Sequence, residues 1–318
     1  MTIVSGSQRP NPDVVVIGES LIDVINTAVG PVEFVGGSGL NVAFGLGRLG
    51  ANTGWLTIFG ADQRGEAIRQ HLASADVQLL PGAVRLDRTS TAIASLDSSG
   101  SARYTFDIEW TLPPATPTFV PKVLHTGSLA TFMEPGATHV RALLQFFSGR
   151  CLITYDPNIR PAVIGNQTLA QKTFEETARF ATLVKLSDED AAWLYPGLTP
   201  RKVAARILGL GVEAVAVTAG ADGSDLYSKS AHVHIAAPQV NVADTVGAGD
   251  SYMSSLIATL LMNPIKEFGQ VLLERLGRTA TAAAAITVTR HGANPPTANE
   301  LEEVLAVPRL DPTVPALR

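Results

Sequence analysis

Short apolar runs that end in glycine or a polar residue recur along the chain: "DVVVIG" from Asp13, "TGWLTIFG" from Thr53, "VLHTGSL" from Val123, "CLITYDP" from Cys151, "ATLVKLS" from Ala181 and "EAVAVTAG" from Glu213. Runs of four to eight residues bounded this way predict buried strands. Between them, "RGEAIRQHLASA", "GATHVRALLQFF", "TFEETARFA" and "PRKVAARILGLG" carry apolar residues three and four apart, the spacing of amphipathic helices. Alternating strands and helices predict an α/β fold: a doubly wound, mostly parallel sheet with helices on both faces and ligands at the carboxyl ends of its strands.

Two stretches break that rhythm. Residues 21–37 and 87–112 alternate apolar and polar positions around a "DSSGS" turn, which predicts a small antiparallel accessory sheet projecting as a lid. The proline-rich "LPPATPTFVP" returns the chain to the core. The organisation expected is one domain over residues 13–308, with loosely held tails at 1–12 and 309–318.

Composition narrows the function classes. The 318 residues are 46% hydrophobic and 17% charged, which favours a packed core over disorder. The net charge of -5 and the lack of a basic run leave no footprint for nucleic acid. No apolar run approaches the roughly twenty residues of a membrane span, and the start lacks a leader pattern, so a soluble cytoplasmic protein is expected. Cys151, the one cysteine, opens a strand and reads as a structural thiol.

Several motifs fail on context. "GLGRLG", Gly45 to Gly50, matches G-x-G-x-x-G, but helical spacing precedes it and a strand follows it, the reverse of a dinucleotide fingerprint. It reads as small residues in a closely packed helix, with Gly50 as its cap. No Gly-Lys dipeptide exists for a P-loop, and "GGSG" does not fit G-x-S-x-G. His232 and His234 of "HVH" share one face of a strand without an identifiable third ligand, which reads as a solvated face.

"NVADTVGAGD", Asn241 to Asp250, precedes the apolar-periodic "SYMSSLIATLLM". A helix beginning there presents unpaired amides of Gly247, Ala248, Gly249 and Asp250 at its positive end, and small residues let an anion approach the backbone. In isolation an aspartate at this place is equally a helix cap. The wider pattern is more specific. "DTVGAGD" resembles the signature of the ribokinase-like (PfkB) family of carbohydrate kinases. "GESLIDV", "GGSGLNVAFGLGRLGA", "FGADQRGE", "YDPNIR", "VTAGADG" and "TRHGAN" fall in that family's order over residues 13 to about 300.

The resemblance implies transfer of the ATP γ-phosphoryl group to a sugar hydroxyl, with a doubly wound core and a β-sheet lid. It implies Asp250 as catalytic base and the amides of Gly247, Ala248 and Gly249 as an anion hole. Asp23, Gly36, Gly37, Ser38 and Asn41 fall at its sugar-binding positions. Ser38 stands where several relatives have lysine, which favours a free over a phosphorylated sugar. "YDPNIR" resembles fructokinase-like and 2-keto-3-deoxygluconate kinase-like members, with Arg160 on a sugar oxygen, carboxylate or nucleotide phosphate; a surface ion pair is the competing reading. Tyr104 and Phe106 share a face of the expected lid and either cover the ligand or pack the lid.

On the nucleotide side the resemblance implies Thr218, Gly220, Gly223 and Asn294 around ATP, and Asp244 with carbonyls near Val246, Thr287, Arg290 and Gly292 around a potassium ion. The family's Asn-x-x-Glu, which organises magnesium and phosphate, is represented by Ser187 and Asp190, so that magnesium is expected through a water on the shorter Asp190. A fructokinase-like ketose kinase is the reading that results, with 2-keto-3-deoxygluconate and nucleoside kinases as alternatives and a sugar sensor without turnover as the non-enzymatic one. Exposed lid edges suggest a homodimer.

Overall fold

Val14–Ile17, Thr53–Leu56, Val123–Gly127, Leu152–Asp156, Leu183–Ser187 and Ala214–Thr218 all form strands in the computed structural model, which describes residues 9–27, 30–96, 102–263 and 267–306, without side chains for 27, 94–96 and 102–104. Each is nearly continuous in buried residues because both faces of the sheet are covered. The run from Thr53 divides into two strands, Thr53–Leu56 and Phe59–Gly60, and the latter pairs with Val84–Leu86 outside the main sheet.

The nine-stranded sheet runs His232–Ile235, Ser224–Ser228, Ala214–Thr218, Leu183–Ser187, Leu152–Asp156, Val123–Gly127, Val14–Ile17, Thr53–Leu56, Gln78–Leu79. Its first two strands are antiparallel additions, and the other seven are parallel. Helices Ser38–Arg48, Ala248–Met262 and Gln270–Val288 bury Leu40, Leu256, Ile257 and Leu273 against one face. Gly136–Phe147, Gln167–Ala178 and Pro200–Gly209 bury Val140, Phe174 and Val203 against the other. Val14–Ile17 lies between Thr53–Leu56 and Val123–Gly127, so the winding reverses there. At such a point the connections leave in opposite directions and open a crevice.

A separate four-stranded sheet has the order Gly30–Gly36, Leu21–Thr27, Ser90–Leu96, Ala102–Asp107. The expected lid strands are present, with one correction. Its outer pairs are antiparallel, but Leu21–Thr27 and Ser90–Leu96 run parallel, since both strands leave the core in the same direction. The "DSSGS" turn lies outside the described residues.

Local expectations hold elsewhere. The "GLGRLG" segment ends the Ser38–Arg48 helix, where a side-chain carbon on Gly47 would sit 2.2 Å from the Ala75 carbonyl, and Gly50 adopts φ +79°. His232 and His234 are exposed and meet Asp225 at 2.7 and 3.3 Å. Burial holds the half-buried Cys151 thiol up at about 11. Within the expected N-terminal tail, Arg9 pairs with Asp76 at 2.9 Å, and Pro12 is buried against Gly54. The remaining tail residues, 1–8 and 309–318, lie outside the description. Among the described residues, no helix is long and apolar enough to cross a membrane.

Candidate active site

The helix Ala248–Met262 begins at Gly247, whose φ of +75° lets the chain turn sharply into it. Ser251 closes the first turn onto the Gly247 carbonyl at 2.8 Å, and the Ala248 amide reaches the Thr245 carbonyl at 3.3 Å. Ala248 therefore departs from the expected row of unpaired amides. Those of Gly247, Gly249 and Asp250 have no acceptor among the described residues and supply the positive end of the helix.

Asp250, only 8% exposed, follows directly. Its Oδ1 accepts a hydrogen bond from Ser38 Oγ at 2.6 Å, and its Oδ2 accepts one from Asn41 Nδ2 at 2.9 Å. Both donors lie on the first turn of the helix Ser38–Arg48, which packs beside the helix Ala248–Met262. Two residues of one motif and the aspartate of another thus form one constellation.

Two clefts meet at this helix start. The smaller, about 340 Å³, is lined by Glu19, Asp23, Ser38, Asn41, Arg160 and Asp250, with Gly37 and the lid residue Phe106 also on its wall. The larger, about 1300 Å³, runs past Thr218, Gly220, Gly223, Ala248 and Thr281. Thr245 and Gly249 line both. A group in one cleft can therefore reach a group in the other across a single helical turn.

Asp23 leaves the core on lid strand Leu21–Thr27. Gly36, opposite Leu21 on the neighbouring strand, makes room, because a side-chain carbon there would fall 2.1 Å from Asp23 Oδ2. Burial raises Asp23 to about 6, with Arg160 opposing the rise and Asp250 adding to it. Glu19, at the switch point, is raised by burial to about 7, and it accepts the Ala130 amide at 3.0 Å. That bond fixes the turn Ser128–Thr131, whose Ser128 and Leu129 line the small cleft.

Arg160 is set by the preceding turn. Asn158 takes a left-handed φ of +36°, donates its amide to Asp156 Oδ1 at 3.2 Å and accepts Arg160 Nη1 on its own Oδ1 at 2.7 Å. The guanidinium is held by its own loop at the cleft wall and forms no ion pair among the described residues.

Other expected residues stand elsewhere. Ser187 and Asp190 form a capping box: Asp190 Oδ2 accepts the Ser187 amide at 3.1 Å, while Ser187 Oγ accepts the Asp190 amide at 2.9 Å. Asp190 Oδ1 accepts the Ile159 amide at 2.9 Å, so both oxygens are engaged, and neither residue lines either of these two clefts. Asn294 is exposed, bonds its amide to the Gly292 carbonyl, and is absent from the large cleft's wall. The Tyr104 side chain lies outside the described residues.

Asp244 ties two loops together by accepting the Val246 amide at 3.0 Å and the Gly292 amide at 2.8 Å, bonds that hold its carboxyl below the usual range. The Thr287 hydroxyl bonds Ser251 and Ala283, and the Arg290 guanidinium turns to Glu300 at 2.6 Å. Among the described residues, no group of three or more His, Cys, Asp or Glu is arranged to hold a metal.

Sequence reasoning missed Glu19 and Lys185, both of which line the small cleft. A signal existed for each: a charge placed beside or within an apolar strand must find a partner or a task.

A family model described as pfkB family carbohydrate kinase matches residues 11–300. The chain belongs to that family. It is a carbohydrate kinase, a phosphotransferase that takes an alcohol as acceptor. It is 32% identical over 266 residues to a fructokinase of Rhizobium leguminosarum bv. trifolii, covering 80% of this chain and 81% of that one. A sugar kinase from Pyrococcus horikoshii, solved in complex with ATP, superimposes with a TM-score of 0.72 at 26% identity over 92% of this chain and 99% of that one. A double mutant of the Vibrio cholerae O395 fructokinase, in its fructose, ADP and potassium ion bound form, gives 0.76 at 22% identity over 90% and 95%. These likenesses agree with the ribokinase-like architecture of the two sheets.

Proposed function

We propose that the protein transfers the γ-phosphoryl group of ATP to a hydroxyl of a free ketose, with fructose as first candidate. The observation that carries this reading is the position of Asp250, hydrogen-bonded to Ser38 and Asn41 at the turn where a small polar cleft meets a large one. The small cleft suits a monosaccharide, because carboxylates, an amide and a guanidinium converge on it. The large cleft, with Gly220, Gly223 and small side chains on its wall, suits a nucleotide. The fructokinase named among the relatives and the ATP held by the Pyrococcus horikoshii kinase support the choice of substrates.

In this reading Asp250 accepts the proton of the attacking hydroxyl. The sugar oxygen forms a bond to the γ-phosphorus, the bond to the bridging oxygen breaks, and ADP leaves with that electron pair. Ser38 and Asn41 hold the carboxylate in line. The free amides of Gly247 and Gly249 meet the charge on the phosphoryl oxygens. Asp23 and Arg160 orient the sugar. Phe106 and the lid limit the access of water.

Asp244, kept anionic by two amides, is the residue we assign to a potassium site with carbonyls near Val246, Thr287, Arg290 and Gly292. Magnesium carried by the nucleotide would neutralise phosphate charge, but the oxygens of Asp190 are committed to backbone amides, so neither is free to hold the ion directly. Exposed Ile25, Val32 and Phe34 on the lid support pairing of two subunits there, which light scattering tests through the mass in solution.

An ADP-release screen over free ketoses, aldoses, keto-deoxy acids and nucleosides tests the function. Fructose is expected to give the highest kcat/KM. Failure of every sugar, or a preference for phosphorylated sugars, overturns it. A sugar acid is the second reading: among the described residues, Arg160 bonds only through Nη1, which leaves the other guanidinium nitrogens for a carboxylate.

A further inference from the structure

Lys185 is the one charged residue of the strand Leu183–Ser187, where it lies between apolar neighbours, and it is 4% exposed. Its ammonium donates to Asp156 Oδ2 at 2.9 Å on the neighbouring strand, and the pair is almost wholly shielded from water. Burial alone would strip the proton from such a lysine, but Asp156, with Asp190 and Asp250 beyond it, holds the group in its charged form. Asp156 Oδ1 is occupied by the Asn158 amide. Among the described residues, Asp156 is the only hydrogen-bond partner of Lys185, so two of its three N–H donors remain uncommitted.

The place of that ammonium matters. A side-chain carbon added to Gly249 would lie 2.9 Å from Lys185 Nζ. The lysine therefore stands directly against the free amide turn, on the wall of the small cleft, beside Gly249, one of the two residues common to both clefts. A buried salt bridge contributes little stability over a well-packed apolar pair, so its presence here asks for another reason.

We propose that Lys185 is a catalytic residue that donates to an oxygen of the phosphoryl group as it passes between the two clefts, adding a full positive charge to the anion hole at Gly247 and Gly249. This rests on the kinase reading above. The lysine keeps its proton throughout and forms no covalent bond; Asp250 remains the proton acceptor. With the oxygens of Asp190 engaged in backbone bonds, Lys185 supplies a fixed positive charge beside that turn. Asp156 acts through it as a positioning residue.

The test compares Lys185→Met, Lys185→Arg and the double variant Asp156→Asn with Lys185→Met. The double variant removes both buried charges, so it folds without an unpaired carboxylate. Expected are a fall in kcat of at least a hundredfold in the single Met variant and in the double variant, a sugar KM within about threefold, and partial recovery with Arg. Calorimetry with ADP, fructose and aluminium fluoride should show the tightening over ADP alone reduced at least tenfold in the double variant. If the double variant turns over like the native enzyme, or keeps that tightening in full, Lys185 only neutralises Asp156 and the proposal fails. Failure of the native enzyme to phosphorylate any sugar overturns the kinase reading instead, so the two failures are distinct.

Discussion

Asn41 Nδ2 lies 2.9 Å from Asp250 Oδ2, although 209 residues separate them. The amide cannot take a proton, so it orients the carboxylate without competing for the proton that the carboxylate is to receive. Asn41→Ala should lower kcat/KM about ten- to a hundredfold, the value of one hydrogen bond to a charged group. Steady-state kinetics with fructose and ATP measures it, and an unchanged value would show that Ser38 alone suffices to hold the base.

Asp250→Asn keeps the hydrogen-bonding shape and loses the basic oxygen. We expect turnover to fall about 10²- to 10⁴-fold while sugar binding persists. Coupled ADP release and calorimetric sugar titration separate the two quantities; substantial residual turnover would remove Asp250 as the base.

Glu19 links the site to pH. Its folded value is about 7 against an ordinary 4.5, so between these values the folded state retains a proton that the unfolded chain has released. Stability should therefore fall as pH rises from about 4.5 to 7, by up to about 3 kcal/mol. Urea denaturation of the native protein and Glu19→Gln checks this: the native midpoint declines across that window, and the variant's declines less.

Asp190→Ala should cost about 1–3 kcal/mol by leaving the buried Ile159 amide without an acceptor and opening the capping box. Thermal unfolding measures the loss. The magnesium dependence of the remaining activity should match that of the native enzyme; a marked rise in the magnesium requirement would return the ion to Asp190.

Potassium is expected to raise the rate over sodium, and Asp244→Asn to abolish that difference. Equal rates in potassium, sodium and cation-free buffer would exclude the assigned site.

Much of this was legible in residue order. The alternation of apolar runs and helical periodicities determined the layered sheet, since strands buried on both faces must be apolar throughout. Period-two stretches located the lid. Gly247 to Asp250 stood out because a helix start without bulky side chains leaves its amides open. Side-chain placement was not legible: Asp190 and Asn294 have the residue types of ligands, but whether a polar side chain faces a cleft or caps its own backbone depends on rotamers and neighbouring loops. The parallel pairing inside the lid was hidden because alternation reports a solvated face and not strand direction.

By itself, the sequence determined the layers, the lid, the helix mouth and the family signature, all properties of local spacing and residue type. Tertiary structure alone brought Ser38 and Asn41 onto Asp250, put Glu19 at the switch point and set Lys185 beneath Gly249. Contacts between residues far apart in the chain follow from the order in which strands enter the sheet, and residue spacing carries no record of that order.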